Sequence, residues 1–354
     1  MNNLEKLLNG NSFSLNEKEK YLLFKKDLNQ LTFYHYKNSS HYKKILGFLG
    51  FKPNKIHEID KLPFIPARIF KEFDLMSIKK DKIIKTLNSS GTSSNKRSKI
   101  YLDKQNAYNQ VKVLQNITNN ILGKDRLPML IIDKKIHTTN RNNFNARIAA
   151  INGFSIFGKN HTYLINEKDE IDYDILNNFL EKYSTEIFFV FGFTSLVYEN
   201  LIKKLSKKLI FNNFNKAILI HGGGWKKLEN IKISNKIFKK RLNDKLNLHK
   251  INNYYGLVEQ TGSIFFECKC GYFVASDFSE VLVRDSNFNR VKNNKKGFLQ
   301  LLSLLPTSYP GHNIITEDIG EIIDKKKCKC KLSGTRFLVH GRYPKAELRG
   351  CSDT

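Results

Sequence analysis

The sequence predicts an α/β protein in which a parallel-rich sheet is followed by a smaller antiparallel β subdomain. Three observations lead there. Short apolar runs at residues 129–132, 187–191 and 217–220 alternate with helix-like segments at 174–182 and 196–205, as successive βα units do. From about residue 264 the pattern changes to short strands broken by turns, at 271–275, 281–283, 298–302 and 337–339. The chain has 354 residues, 40% of them hydrophobic, enough for about two domains or for one large α/β unit with an appendage.

Residues 1–60 read as helical, from apolar spacing at Leu4, Leu7 and Leu8 and again over 21–31, with polar turns between. Pro63 and Pro66 mark a non-helical passage. The Ser/Thr/Asn-rich stretch 88–98 is a polar loop. After it, a helical pattern from about 103 to 122 places Ala107, Val111, Leu114, Ile117 and Ile121 on one face. These shifts divide the chain into a helical segment at 1–60, an α/β core at 61–263, a β-rich subdomain at 264–340 and a C-terminal arm at 341–354. No internal repeat or low-complexity tract stands out.

Charged residues make up 26%, with 20 Gly and 7 Pro, which excludes collagen-like, low-complexity and wholly disordered chains. The longest mostly apolar stretch, 187–198, is about twelve residues and carries Gly192, Thr194 and Ser195. A membrane-spanning helix needs about 20, so no span is expected. The N-terminal residues hold Glu5 and no apolar stretch, unlike a secretory signal, and the expected compartment is the cytosol. The net charge is +27, yet only 11 of the 60 basic residues are Arg, and Lys is spread along the whole chain. That distribution reads as a solvated lysine-rich surface, with an acidic protein partner as the functional alternative. Nucleic-acid binding has only the charge behind it, because the Arg forks that read phosphates and bases are few.

Five cysteines are an odd number, and a reducing compartment does not favour a disulfide framework. Cys268-Lys269-Cys270-Gly271 and Cys328-Lys329-Cys330 form two C-x-C pairs, separated by the 57 residues from 271 to 327, with Cys351 left alone. Four thiolates complete a tetrahedral set for a structural Zn²⁺. The alternative is that such pairs are small residues at turns. Nothing marks the open position of a catalytic zinc.

Four motifs carry chemistry. Ser89-Ser90-Gly91-Thr92-Ser93-Ser94-Asn95-Lys96-Arg97 sets hydroxyls around a glycine, so that backbone N–H and Oγ groups can wrap a polyphosphate, with Lys96, Arg97 and Lys99 as counter-charge. It does not fit the Walker A pattern, and by itself reads more readily as a flexible surface loop. His221-Gly222-Gly223-Gly224-Trp225 follows the apolar run 217–220, where glycines let backbone approach a flat ligand at a strand's C-terminal end. Trp225, the only tryptophan, is either core packing or a stacking surface. The third motif is Tyr254-Tyr255-Gly256-Leu257-Val258-Glu259-Gln260-Thr261-Gly262, and the fourth runs from Tyr309-Pro310-Gly311-His312 to Thr316-Glu317-Asp318. Each sets a carboxylate beside a glycine-containing turn or strand end, suited to Mg²⁺ or to a ribose diol, or simply a turn or a surface charge.

Taken in order, these motifs and the late Gly341-Arg342 resemble the signature of adenylate-forming enzymes, the superfamily of acyl-CoA synthetases, adenylation domains and firefly-type luciferases. The pattern is most similar to that of the acyl-protein synthetase (LuxE-type) family. The strings that carry it are 89–104 (SSGTSSNKRSKIYLDK), 221–227 (HGGGWKK), 255–268 (YGLVEQTGSIFFEC) and 341–353 (GRYPKAELRGCSD), and the likeness covers roughly residues 60 to 354. It implies a large adenylate-forming N-terminal-type domain, with 61–263 as its ATP-binding core. It implies ATP phosphates on Ser89, Ser90, Gly91, Thr92, Ser93 and Lys96, and adenine along Gly222, Gly223 and Gly224. It further implies nucleotide contacts at Tyr255 and Gly256, Mg²⁺ on Glu259 and ribose on Asp318.

Two departures from that pattern stand out. Ser94 and Lys96-Arg97 replace the usual continuation of the phosphate loop with Gly and Pro-Lys. Only 13 residues follow Gly341, where most relatives carry a mobile domain of about a hundred residues, so the expected fold lacks that domain and the second half-reaction needs another device. The resemblance implies an acyl-accepting cysteine at Cys351. Its thiol would ordinarily be only a few per cent ionised at neutral pH. Lys345, Arg349 and Arg342 nearby in sequence favour the thiolate and Asp353 opposes it. An extended arm from Gly341 to Cys351 could reach about 33–36 Å.

The sequence therefore reads as an ATP-dependent acyl-protein synthetase. It would adenylate a carboxylic acid, expected to be fatty, load the acyl group on Cys351, and pass it to a protein such as an acyl reductase. The alternatives are a phenylacetate-type acyl-CoA ligase and a noncatalytic nucleic-acid- or partner-binding protein.

Overall fold

The computed structural model of the chain describes residues 3–89, 97–135, 146–206 and 214–343. The described residues fall into two compact units, one drawn from 1–117 and 256–348, the other from 118–255.

The first unit begins with helices Asn3–Leu8, Glu17–Asn38 and Ser40–Phe48. The second of them starts where Asn16 and Glu19 form a capping box, each side chain accepting from the other's backbone N–H at 3.0 Å. Ser39 serves two helices, closing one through its N–H to the His35 carbonyl and opening the next as acceptor for Tyr42 N–H. Phe24, Leu28, Thr32 and His35 recur every three or four residues and make the buried face of Glu17–Asn38.

The same unit holds a sheet in the order Phe273–Val274, Arg336–Arg342, Asn313–Ile323, Lys296–Ser303, Ser279–Arg284, antiparallel throughout, as expected for the chain after residue 264. The short strand Ile65–Pro66, in the proline-marked passage, joins Asn313–Ile323 in parallel. A separate antiparallel hairpin, Lys85–Asn88 with Lys99–Leu102, frames the polar loop. Helix Lys104–Leu122 follows, its first turn held by the Asp103 carboxylate accepting from Asn106 N–H at 2.8 Å.

The second unit holds a parallel sheet in the order Gly158–Ile165, Leu127–Lys134, Phe188–Phe193, Ala217–Gly222, Lys250–Gly256. Phe188–Phe193 and Ala217–Gly222 are buried at every position, which is why residues 188–191 and 217–220 are apolar runs without alternation. Helices Ala146–Ser155, Tyr173–Lys182 and Asn235–Leu246 lie between strands in the chain, and Thr194–Val197 continues into a π-helical segment, Tyr198–Lys204. The shared core includes Leu130, Val190, Leu219, Phe238 and Leu242. At the end of Leu127–Lys134 the buried Asp133 receives the Arg147 guanidinium, with Nε 2.8 Å from Oδ2. No described helix is long and apolar enough to cross a membrane.

In the first unit a buried histidine pair joins the N-terminal helices to the loop that enters Asn313–Ile323. His35 and His312 stack with ring centroids 4.8 Å apart. His35 Nε2–H donates to the Pro306 carbonyl at 3.1 Å, so its Nδ1 accepts from the Ser77 hydroxyl at 2.7 Å. Thr32 gives its hydroxyl proton to the Leu28 carbonyl and therefore accepts from His312 Nε2–H, 3.0 Å away. Burial lowers His35 from 6.5 to about 3, against a smaller upward pull from the Pro306 carbonyl, and it lowers His312 in the same direction. Above pH 6.5 both folded and unfolded chains keep His35 neutral. Between 6.5 and 3 the unfolded chain takes up a proton that the folded chain refuses, so stability falls as the pH falls, by up to about 1.4 kcal/mol per pH unit. Urea unfolding between pH 7 and pH 4.5 should show that loss in the wild type and a shallower one in His35→Gln. Equal slopes in the two proteins would remove His35 from the account.

Candidate active site

The hairpin fixes the base of the serine-rich loop. Ser89 N–H donates to the Ser98 carbonyl at 3.0 Å, and Ser98 N–H donates to the Ser89 hydroxyl at 2.9 Å, so both ends of the loop are pinned to each other. Of the expected phosphate-binding residues Ser89 sits at this base, while Ser90, Gly91, Thr92, Ser93 and Lys96 lie outside the described residues. The Ser98 hydroxyl points on to Glu259 and donates to its Oε1 at 2.7 Å, with both side chains buried. Residues 161 positions apart thus bring the loop and the Y-G-x-x-E carboxylate together.

Glu259 is presented by a single 3-10 turn, Val258–Gln260. The Gln260 side-chain amide donates to the carbonyls of Leu301 and Gly311, at 3.1 and 2.9 Å, tying the turn to the sheet and to the fourth motif. Gly311 is needed there, because a Cβ at that position would stand 2.8 Å from the Glu259 carbonyl oxygen. Tyr309, fully buried, accepts from Thr261 N–H at 3.2 Å, and burial pushes its phenol well above the usual range. Gly262 completes the turn at φ +89, with Leu305 Cδ1 2.8 Å from where a Cβ would be. Residues 259–262 of the third motif and 309–311 of the fourth are therefore one packed assembly.

Asp318 lies on Asn313–Ile323 directly across from Arg342 on the next strand. Arg342 Nε is 3.5 Å from Oδ1 of Asp318, the expected ribose ligand. The Thr316 hydroxyl accepts from Asp318 N–H at 3.1 Å and donates to the Leu299 carbonyl at 3.0 Å, which sets the backbone just before a register shift at Ile319/Gly320. Gly341 supplies φ +131 on the partner strand. Lys345 and Cys351 lie outside the described residues.

In the second unit Gly222 ends strand Ala217–Gly222, and a Cβ on it would be 2.7 Å from Tyr254 Cδ1 on the neighbouring strand. Gly223, at φ +80, and Gly224 are exposed, and Tyr255 is half-buried. His221 is a structural residue. Thr194 donates its hydroxyl to the Gly222 carbonyl at 3.1 Å and accepts from His221 Nδ1–H at 3.0 Å. Burial, with Lys239 adding to it, lowers His221 to about 3, so the ring is neutral. Trp225 is buried, packing edge-on against Tyr198 at 5.0 Å and Phe238 at 6.0 Å, which makes it core.

The two C-x-C pairs converge in the first unit. The thiols of Cys268, Cys328 and Cys330 lie within 4.8 Å of one another, and Cys270 is the exposed member. Burial pushes Cys268 up. For Cys328 burial is outweighed by hydrogen bonds from Cys330 and Arg336, which pull it down.

Two residues here were not singled out from sequence. Ser98, which bonds Glu259, is the last hydroxyl of the loop before a strand, and that position is its signal. Gln260 has no signal beyond adjacency to Glu259.

The profile of the acyl-protein synthetase, LuxE, family matches residues 2–354. No curated protein matches the sequence. Among solved structures, 2-hydroxyisobutyryl-CoA ligase in an open conformation with 2-HIB-AMP and CoA is similar, with a TM-score of 0.67, 13% identity, and 94% of this chain and 76% of that one covered. The same ligase in its postadenylation state with 2-HIB-AMP gives a TM-score of 0.67 at 13% identity, covering 94% and 69%. At that identity the likeness is one of fold, and the fold is that of the adenylate-forming ligase core.

Replacing Gly311 by Ala should push the Val258–Gln260 turn away and cost about 1–3 kcal/mol, as overpacking a close backbone contact does. Urea midpoints of Gly311→Ala and wild type measure it. A change under about 0.5 kcal/mol, the range of ordinary surface substitutions, would mean the approach is not tight.

Proposed function

The chain belongs to the acyl-protein synthetase, LuxE, family, and on that premise we propose that it activates a fatty carboxylic acid with ATP and carries the acyl group on Cys351 to a partner protein. Membership and fold together support the coarser statement, ATP-dependent acyl adenylation by an acid–thiol ligase. In the first half-reaction a carboxylate oxygen attacks the α-phosphorus, the P–O bond to the β-phosphate breaks, and pyrophosphate leaves. In the second the Cys351 thiolate attacks the acyl carbonyl, a C–S bond forms, and AMP departs with the electrons of the C–O bond. Transfer to an acceptor such as an acyl reductase regenerates the thiol. The cytoplasm is the compartment that suits ATP and a free thiol.

The observation that carries this reading is the Ser98–Glu259 hydrogen bond, which sets the root of the phosphate-type loop beside a buried carboxylate. Ser89, Ser90, Gly91, Thr92, Ser93 and Lys96 would hold the β- and γ-phosphates through backbone N–H, hydroxyl and ammonium donors. Mg²⁺ takes oxygen ligands, and the Glu259 carboxylate with a hydroxyl beside it fits that preference. When bound, the ion neutralises charge on the phosphates. Asp318 would accept from the ribose hydroxyls, with Arg342 beside it orienting the carboxylate. Gly223 and Gly224 are assigned to adenine and Tyr255 with Gly256 to its surroundings on the family resemblance. Lys345 would favour the Cys351 thiolate.

Incubation with ATP, Mg²⁺ and a panel of carboxylic acids, followed by intact-mass measurement, should show an acyl mass gain on wild type and none on Cys351→Ser. Release of acyl-CoA on adding coenzyme A, without protein labelling, would favour the acyl-CoA ligase alternative. Asp318→Ala should lower ATP–pyrophosphate exchange by roughly one to two orders of magnitude, the worth of about 1.5–3 kcal/mol of hydrogen bonding to a charged acceptor. Wild-type exchange in that variant would remove Asp318 from the nucleotide site.

A further inference from the structure

We propose that Cys268, Cys270, Cys328 and Cys330 form a structural zinc centre that ties the N-terminal segment to the edge of the antiparallel sheet. It is independent of the adenylation reading and concerns atoms of the first unit alone.

Three of the four sulfurs already stand as corners of a tetrahedral thiolate site. Zn–S bonds of about 2.3 Å at tetrahedral angles separate sulfurs by about 3.8 Å. Cys268 Sγ and Cys328 Sγ are 3.7 Å apart, Cys328 Sγ and Cys330 Sγ 3.1 Å, and all three fall within 4.8 Å of one another. Cys270, exposed two residues beyond Cys268, would supply the fourth thiolate. The turn carrying the first pair is tight: Gly271 N–H donates to the Cys268 carbonyl at 2.9 Å and Cys268 N–H to the Tyr272 carbonyl at 2.8 Å. Gly271 takes φ +85, so the chain reverses straight after the second thiol and leaves both sulfurs of the pair on the turn.

Charge gives a second, separate argument. Arg336 is 2% exposed and makes no ion pair with a carboxylate among the described residues. Its Nη1 donates to the Gly334 carbonyl at 2.8 Å and its Nη2 to the carbonyls of Leu332 and, at 3.3 Å, Cys330; Nη2 also lies 3.6 Å from Cys330 Sγ, and the buried Nε has no partner. The carbonyls meet its hydrogen bonds but carry no net charge, so the buried guanidinium calls for anionic sulfur beside it. Four thiolates around Zn²⁺ carry a net charge of −2, and the guanidinium then faces an anion. Lys269, Lys327, Lys329 and Lys331 flank the cysteines and add to that compensation. As the ion binds, the four thiol protons pass to solvent and four Zn–S bonds replace the S–H bonds.

The centre would act through what packs on it. Phe13 and Tyr272 lie against the cluster of Cys268, Val274 and Cys328. Asp277 Oδ2 accepts from the N–H groups of Ser14 and Leu15, at 2.7 and 3.2 Å, and the Ser333 hydroxyl donates to the Phe13 carbonyl. The metal would thereby anchor the segment that leads into helix Glu17–Asn38.

Full-length protein, purified without a metal-affinity step, should contain about one zinc per chain by elemental mass spectrometry. Cobalt exchanged into it should show the strong absorption of a tetrahedral thiolate site. Cys270→Ser, altered at the exposed position and checked for native circular dichroism, should lose most of the zinc, and Cys268→Ser all of it. Cys351→Ser should retain it, which separates this site from the acyl-carrying cysteine. Wild-type protein that is folded and metal-free even after zinc is added, or that shows a mass deficit from a disulfide among these cysteines, would overturn the proposal. So would undiminished zinc affinity in Cys270→Ser.

Discussion

A buried carboxylate is tolerated only where donors surround it, and Glu259 is the point on which the first unit's functional elements close. The Ser98 hydroxyl supplies one donor from the base of the loop. Gly311 lets another chain segment come to within contact of the Glu259 carbonyl, and Gln260 bonds that same segment. Three stretches around residues 98, 259 and 311 are positioned by a few polar contacts in a site shielded from water, where each contact is stronger than it would be in solvent. A carboxylate held in this way is fixed in one orientation by its own surroundings.

The N-terminal helices enter the same network from behind. His35 bonds the Pro306 carbonyl and Ser77, and the Ser77 N–H donates to the Ser308 carbonyl at 2.8 Å. Asn106 accepts from the N–H groups of Thr307 and Ser308, at 3.0 and 3.1 Å. The loop from 304 to 312 is buried for nearly its whole length, and its backbone polar groups are met by side chains from helices at both ends of the unit. The helical segment 1–60, which has no evident chemistry, is thus a structural support for the loop that carries Tyr309 and Gly311.

How much of this was legible in the sequence depended on whether the signal was local. The strands Phe188–Phe193 and Ala217–Gly222 announce themselves because complete burial makes residues 188–191 and 217–220 uninterrupted apolar runs. Gly158–Ile165 does not, since GKNHTYLI has exposed positions at Lys159, Asn160 and His161 and no apolar run until its end. The hairpin around the polar loop is hidden for a similar reason: each arm is four residues, KTLN and KIYL, too short for periodicity to register. At the site, Glu259, Asp318 and the glycines are readable because their motifs come in a familiar order. Ser98 becomes visible only through a partner 161 positions away. The His35–His312 pair is likewise invisible, because a lone histidine on a helix says nothing until the other ring is stacked on it. Trp225, which sequence left open between core and ligand, is decided by its neighbours Tyr198 and Phe238.

The strand Arg336–Arg342 has different company at its two ends. Arg336 faces Cys330, and Arg342 stands opposite Asp318. Its seven residues span about 20 Å at the usual rise per residue. Pairing fixes a strand in steps of whole residues, and a one-residue slip turns every side chain to the other face. The register shift at Ile319/Gly320 falls between the two ends. One strand thus serves two neighbourhoods in two registers, and an inserted or deleted residue within it would put one arginine or the other on the wrong face.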